Sequence, residues 1–242
     1  MEQFGPETYG ERVADVYDEW YKPVDSGPEV ALLTELANGG RALELGIGTG
    51  RIALPLAANG VEVHGIEASP AMVEQLRAKP GGGAIPIVLG DMADVVVDGA
   101  FALVFVVFNT FFQLYSQDAQ VRCFANVAKH LQPGGRFLVH TFVPDTSSVE
   151  AGERLSVREA SLDRVRLDAS VFDALEQRLD TTQVRITESG IRLVHAKLRF
   201  AWPPELDLMA NLAGLTLEHR FATFDKQPFS AASAFQVSVY RA

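Results

Sequence analysis

A single cysteine, Cys123, in 242 residues excludes an internal disulfide and any cysteine-rich metal site. Basic residues are also scarce, 21 Lys and Arg against 31 Asp and Glu, for a formal net charge of −10. A chain this acidic lacks the footprint that duplex nucleic acid or an anionic membrane surface demands. Long hydrophobic runs are missing too. The most apolar stretch, "FALVFVVFNTFF", is too short to span a bilayer. The N-terminus is acidic and has no apolar core of a signal peptide. A cytoplasmic protein is expected, without a nucleic-acid or membrane partner and without a metal. What is plentiful is apolar content, 48% of the chain, enough to bury a substantial core.

From residue 40 to 142 apolar segments alternate with helical ones. "RALEL", "VEVHGIE", "AIPIVLGD", "AFALVFVV" and "RFLVHTF" read as strands, and the fully apolar fourth one suits a sheet covered on both faces. "GRIALPLAANG", "SPAMVEQLRAK" (capped by Ser69, with Pro70 in its first turn) and "QDAQVRCFANVAKHLQPGG" read as helices. The last places Cys123 on a buried helical face. This alternation predicts a parallel α/β sheet with right-handed crossovers. Residues 1–37 read as an N-terminal helical cap, with Ser26 starting its last helix. Residues 150–201 switch to period two, in "RVRLDASVF", "EQRLDTTQVRIT" and "IRLVHAKLRF", the last two joined by a turn at 188–190. They are expected to form an antiparallel insertion within one domain spanning 1–242, closed by the helix "PPELDLMANLAG" and two strands.

The stretch "LELGIGTGRIALPLA" carries the chemistry. Its glycines run G-x-G-x-G at 46, 48 and 50, with Glu44 before them. A dinucleotide fingerprint requires glycine where Arg51 stands, and a P-loop requires a Gly-Lys-Ser/Thr that is absent. The spacing resembles the first motif of class I S-adenosylmethionine-dependent methyltransferases. More motifs follow in register: Glu67 about 20 residues on, "GDM" at 90–92, "VFNTFFQL" after the fourth strand and "LQPGGRFLV" before the fifth. The resemblance implies a Rossmann-like seven-stranded sheet, S-adenosylmethionine as methyl donor and S-adenosylhomocysteine as product. A weaker likeness to deoxyamino-sugar N,N-dimethyltransferases rests on Tyr9, Tyr17, Asp18, Tyr21 and the "FNTFF" segment.

Residue by residue, the resemblance implies that Gly46, Gly48, Thr49 and Gly50 form the cradle. Glu44 meets the ligand ammonium or orders the turn from behind. Arg51 reaches the ligand carboxylate or stays on the surface, and Thr49 can cap the helix that follows. Glu67 takes the ribose hydroxyls, with Ala68 and Met72 beside it. Asp91 and Met92 frame the adenine, and Phe108 completes the cofactor set. His140, Tyr17 and Asn109 are expected near the transferred methyl, His140 as a candidate general base. Phe112 and Trp202 are expected to wall the substrate pocket. The expected reaction is methyl transfer to N, O or S of a small-molecule acceptor, in a chain that could work as a homodimer. Alternatives are a nicotinamide-dependent oxidoreductase, against which Arg51 stands, and a non-catalytic binding protein on the same fold.

Overall fold

The computed structural model describes residues 5–21, 24–144 and 152–242. Residues 1–4, 22 and 23 of the expected cap and the first two of the expected insertion lie outside them. Five parallel strands come first along the chain: β1 (Ala42–Leu45), β2 (Val63–Glu67), β3 (Ile87–Leu89), β4 (Phe101–Val106) and β5 (Leu131–Phe142). β10 (Thr216–Phe221) and β11 (Phe235–Arg241) complete a seven-stranded mixed sheet of order β10-β11-β5-β4-β1-β2-β3. The sheet is buried on both faces, as the unbroken burial of β1 and β4 requires. One face is covered by α3 (Gly27–Ala37) and α4 (Ala53–Ala58), through Leu33, Leu56 and Phe105. The other is covered by α6 (Gln117–His130) and α7 (Pro203–Leu212), through Phe124, Leu206 and Phe137. Cys123 is fully buried there, and burial raises its thiol pKa. Among the described residues no helix is long and apolar enough to cross a membrane.

The chain order reverses between β1 and β4, which opens a crevice at the carboxyl ends of the strands. Two further parts close over it. The first is a cap of α1 (Thr8–Val13) and α2 (Tyr17–Tyr21), packed on α5 (Pro70–Arg77). Gly10 permits this close approach: a Cβ there would stand 2.5 Å from Ser69 Cβ. The second is a lid, a separate antiparallel sheet of order β6-β7-β8-β9. Its strands are β6 (Gly152–Ala160), β7 (Arg164–Asp173), β8 (Arg178–Thr187) and β9 (Gly190–Arg199).

Several local expectations are corrected. Residues 27–37 belong to the layer covering the sheet, so the cap proper is α1 and α2. Ser26 makes no side-chain cap; Asp25 Oδ1 accepts from Gly27 N at 2.9 Å instead. Ser69 does cap α5, accepting from Met72 N at 3.2 Å. The helix expected to run through "LQPGG" stops at His130. Leu131 already pairs with Phe101, and the ladder jumps to Leu103–Arg136 across an irregularity that includes left-handed Gly134. The lid also holds a strand, β6, that the sequence reading did not separate.

Candidate functional site

The crevice holds a cavity of about 460 Å³, within the range of small-molecule sites. Strand ends supply Gly46, Gly48, Glu67, Ala68, Asp91 and Met92. The cap and α5 add Tyr9, Tyr17 and Met72, and the other walls are Thr110, Gln113, Tyr115, Ala196 and Lys197.

The glycine turn is built from left-handed backbone, with φ of 67°, 56° and 82° at Gly46, Gly48 and Gly50. A Cβ at Gly46 would strike Thr110 Cγ2 at 2.5 Å. At Gly48 the nearest atom would be 3.9 Å away, so that face of the turn opens on the cavity. Glu67 is 9% exposed and links the turn to β2 and α5. Gly48 N donates to its Oε2 at 2.8 Å and Ser69 N to its Oε1 at 2.9 Å. Burial raises its pKa while these donors lower it. Asp91 Oδ1 accepts from Ala93 N at 2.9 Å, which fixes the turn beside Met92.

Glu44 is buried at the end of β1, outside the cavity lining, and among the described residues its Oε2 has no hydrogen-bond partner. Burial raises its carboxyl pKa strongly, opposed by the nearby Arg51. An orphaned buried oxygen calls for a donor. At the cavity itself, the open face at Gly48 fits a closely packed ligand, and Glu67 keeps lone pairs for ribose hydroxyls.

Other expected residues lie outside the cavity lining. Thr49 does not cap α4, whose N-cap is Ile52; its hydroxyl donates to Asp18 Oδ1 at 2.6 Å. Gly50 lets Leu54 and Leu76 close in. Arg51 pairs with Glu29 Oε1 at 3.3 Å and stands over the Phe108 ring, 4.7 Å from its centroid. Phe112 is fully buried against Phe111 and Phe142, so it is core and not pocket wall. Trp202 only starts α7, edge-on to Phe200.

His140 is placed differently from a base. Its Nδ1 accepts from Phe108 N at 3.1 Å, and its ring packs on Phe224 and Phe235. With Nδ1 so occupied, the neutral ring carries its proton on Nε2 and has no lone pair to offer. Burial first, then Arg51, lowers its pKa to about 4. Asn109 is likewise structural: N donates to His140 O at 3.2 Å and Oδ1 accepts from Phe142 N at 2.7 Å. These bonds hold the consecutive left-handed residues Phe108 (φ 60°) and Asn109 (φ 66°), a conformation that costs about 1–3 kcal/mol per residue. The strained turn delivers Thr110 and Gln113 to the cavity.

Tyr17 does reach the cavity. Burial raises the pKa of both Tyr17 and Tyr9, and the Tyr9 and Tyr21 hydroxyls lie 3.4 Å apart. Trp20 faces the lid, where Arg185 stacks 3.5 Å from its ring centroid. The sequence reading missed the residues that fasten the cap. Glu11 Oε1 accepts from Ser69 Oγ at 2.7 Å and Ala71 N at 3.0 Å. Asp18 pairs with Lys79 at 2.5 Å, and Lys79 Nζ also donates to Thr49 O at 2.7 Å. It also missed Tyr115, which donates to Asp180 Oδ1 of the lid at 2.6 Å. No local pattern marks such contacts, since their partners are 30 to 65 residues distant.

Comparison with known proteins agrees with this geometry. A family model described as a methyltransferase domain matches residues 42–135. The structure of the CcbJ methyltransferase from Streptomyces caelestis is 42% identical, covers 99% of both chains and superposes with a TM-score of 0.92. Cypemycin N-terminal methyltransferase from a Streptomyces species is 25% identical over 232 residues, 94% of this chain and 95% of that protein. The fold is shared with S-adenosylmethionine-bound CalS10, an amino pentose methyltransferase from Micromonospora echinaspora. That structure is 20% identical, covers 93% of this chain and 96% of its own, and has a TM-score of 0.71.

Proposed function

Because the chain belongs to the class I S-adenosylmethionine-dependent methyltransferases, we propose that it methylates the amine nitrogen of a small polar metabolite, such as an amino sugar. S-adenosylmethionine supplies a methyl group already activated by its sulfonium. The chain's share is therefore alignment and exclusion of water. In this reading Glu67 receives the ribose hydroxyls, Asp91 and Met92 hold the adenine, and Glu44 answers the ammonium. Tyr17 and Tyr9 cover the reacting end from the cap, where their faces favour positive charge.

The observation that carries the nitrogen assignment is the lining itself. Among the described residues that line the cavity there is no imidazole. The hydroxyls of Tyr9, Tyr17 and Tyr115 are held protonated, each pKa raised by burial first. An alcohol would need a base to remove its proton early. A neutral amine brings its own lone pair and sheds a proton to solvent afterwards. The names of two relatives point the same way, one an N-terminal methyltransferase and one an amino pentose methyltransferase. A homodimer would cover the apolar outer face of the lid, and sedimentation velocity measures it.

The test is a paired panel of amino compounds and their hydroxyl analogues, incubated with S-adenosylmethionine and read by mass spectrometry. The proposal expects a gain of one methylene unit on amines only, with a rate that rises with pH until the amine is neutral. Methylation confined to the hydroxyl analogues would overturn it.

A further inference from the structure

The four lid strands have two unlike faces. Ladder register puts Leu155, Val157, Val171, Ile191 and Leu193 on the outer one, all at least 50% exposed. The inner one carries Arg166 opposite Arg185 and, one row along, Asp168 opposite Gln183. Four side-chain atoms in this square are buried without a hydrogen-bond partner among the described residues: Arg166 Nε, Arg185 Nε, Asp168 Oδ1 and Gln183 Oε1. Arg185 lies flat on Trp20, and Asp168 Oδ2 is taken by Arg158 Nε at 2.7 Å.

Such an arrangement is costly as it stands. Like charges directly opposite on neighbouring strands repel, although Arg166 has Glu159 opposite it on its other side. Burial first, then Arg166, lowers the Arg185 pKa. Buried polar atoms are nearly always paired, so orphans clustered in one place mark missing partners. The square does not itself line the cavity, but its face of the lid runs on to it. Val194, the cross-strand partner of Gln183, packs with Tyr9 and Tyr17. Ala196, two residues on along the same face, lines the cavity. At about 3.3 Å per residue, the Arg166–Arg185 row lies ~13 Å from the Ala196 row.

We propose that this inner lid face is the acceptor's anchoring subsite: Arg166 and Arg185 bind an anionic group of the acceptor, a carboxylate or a phosphate, and Asp168 and Gln183 accept from its hydroxyls. Planar guanidinium forks suit either oxyanion. The spacing makes the acceptor a molecule whose anion stands about 13 Å from the Ala196 row. The inference rests on the methyltransferase reading, but it does not depend on which atom is methylated.

The test uses the full-length protein saturated with S-adenosylhomocysteine and titrated by calorimetry with inorganic pyrophosphate and, separately, with citrate. Binding of at least one is expected, and the better probe tells phosphate from carboxylate. Arg166→Gln should weaken that binding about tenfold or more, with unchanged affinity for S-adenosylhomocysteine as the check on folding. Arg185→Gln should do the same, but it also removes the Trp20 contact, so Arg166→Gln is decisive. No binding of either probe, or equal binding by Arg166→Gln, would overturn the subsite. Amine methylation with full activity on uncharged acceptors would remove the anchor and leave the amine assignment standing. Anion binding with hydroxyl-only methylation would do the reverse.

Discussion

Gly48 and Glu67 are joined by a 2.8 Å hydrogen bond from the glycine N–H to the carboxylate. The turn after β1 and the end of β2 therefore hold one geometry, and the carboxylate is preorganised before any ligand arrives.

Glu67→Ala removes this tie, the bond from Ser69 and the proposed grip on ribose together. Bonds to a charged group are worth about 1.5–3 kcal/mol each. Affinity for S-adenosylmethionine should fall more than tenfold by calorimetry, with the sheet intact by circular dichroism. Unchanged affinity in the folded variant would place the ribose elsewhere.

Gly48→Val should retain the fold at a modest cost, about 1–2 kcal/mol for a side chain at positive φ, because its Cβ would meet nothing nearer than Gly46 O at 3.9 Å. S-adenosylmethionine binding should be abolished, since the side chain enters the cavity. Gly46→Ala should behave differently. Its methyl strikes Thr110 within the protein, so thermal stability should fall as well.

Asp18 ties the cap to both Thr49 and Lys79. Asp18→Ala should loosen the cap and raise the KM for S-adenosylmethionine about 3–10-fold, the value of a partly exposed ion pair plus one hydrogen bond. The loss should shrink at high salt, where the wild-type pair is itself screened. Stopped-flow measurement of ligand release, faster in the variant, checks that the cap is what moved.

His140 titrates at about 4 in the folded chain, below the ordinary 6.5. The unfolded chain therefore binds more protons between these values, and stability must fall as pH drops from 6.5 towards 4. His140→Asn should flatten this part of the stability curve in urea titrations at stepped pH. Turnover at neutral pH should drop through misplacement of Thr110 and Gln113, chiefly as a raised acceptor KM. A loss of 10²-fold or more in kcat, with normal KM, would return His140 to the role of base.

The parallel sheet was legible because β1 to β5 must be apolar on both faces, and glycine spacing located the turn after β1 because backbone adopts positive φ there. Period two in residues 164–199 announced strands with equal clarity. It did not say which face turns inward, and here apolar Ile191 and Leu193 face outward while Arg185 and Gln183 face in. Burial ordinarily favours the reverse; here the polar face is turned to the cap, with Arg185 on Trp20. His140 sat at the correct end of β5 for catalysis, but a strand position does not reveal which bond the ring makes. Phe112 and Trp202 failed for a similar reason, because aromatics near a site and aromatics in a core share one sequence signature.

Among the described residues the lid shares no ladder with the seven-stranded sheet. Its anchors include side chains: Arg199 on Gln120 and Glu205, Arg192 on Asp15, the Phe172–Phe200 stack, and Tyr115 on Asp180. Amide protons in β7 and β8 are thus protected by a cooperative unit distinct from the one that protects β1 and β4, and they should exchange with solvent deuterium first. The proposed acceptor subsite and the glycine turn would then sit on separately melting parts. Substitutions accumulating on the lid can then alter the acceptor without eroding the cradle.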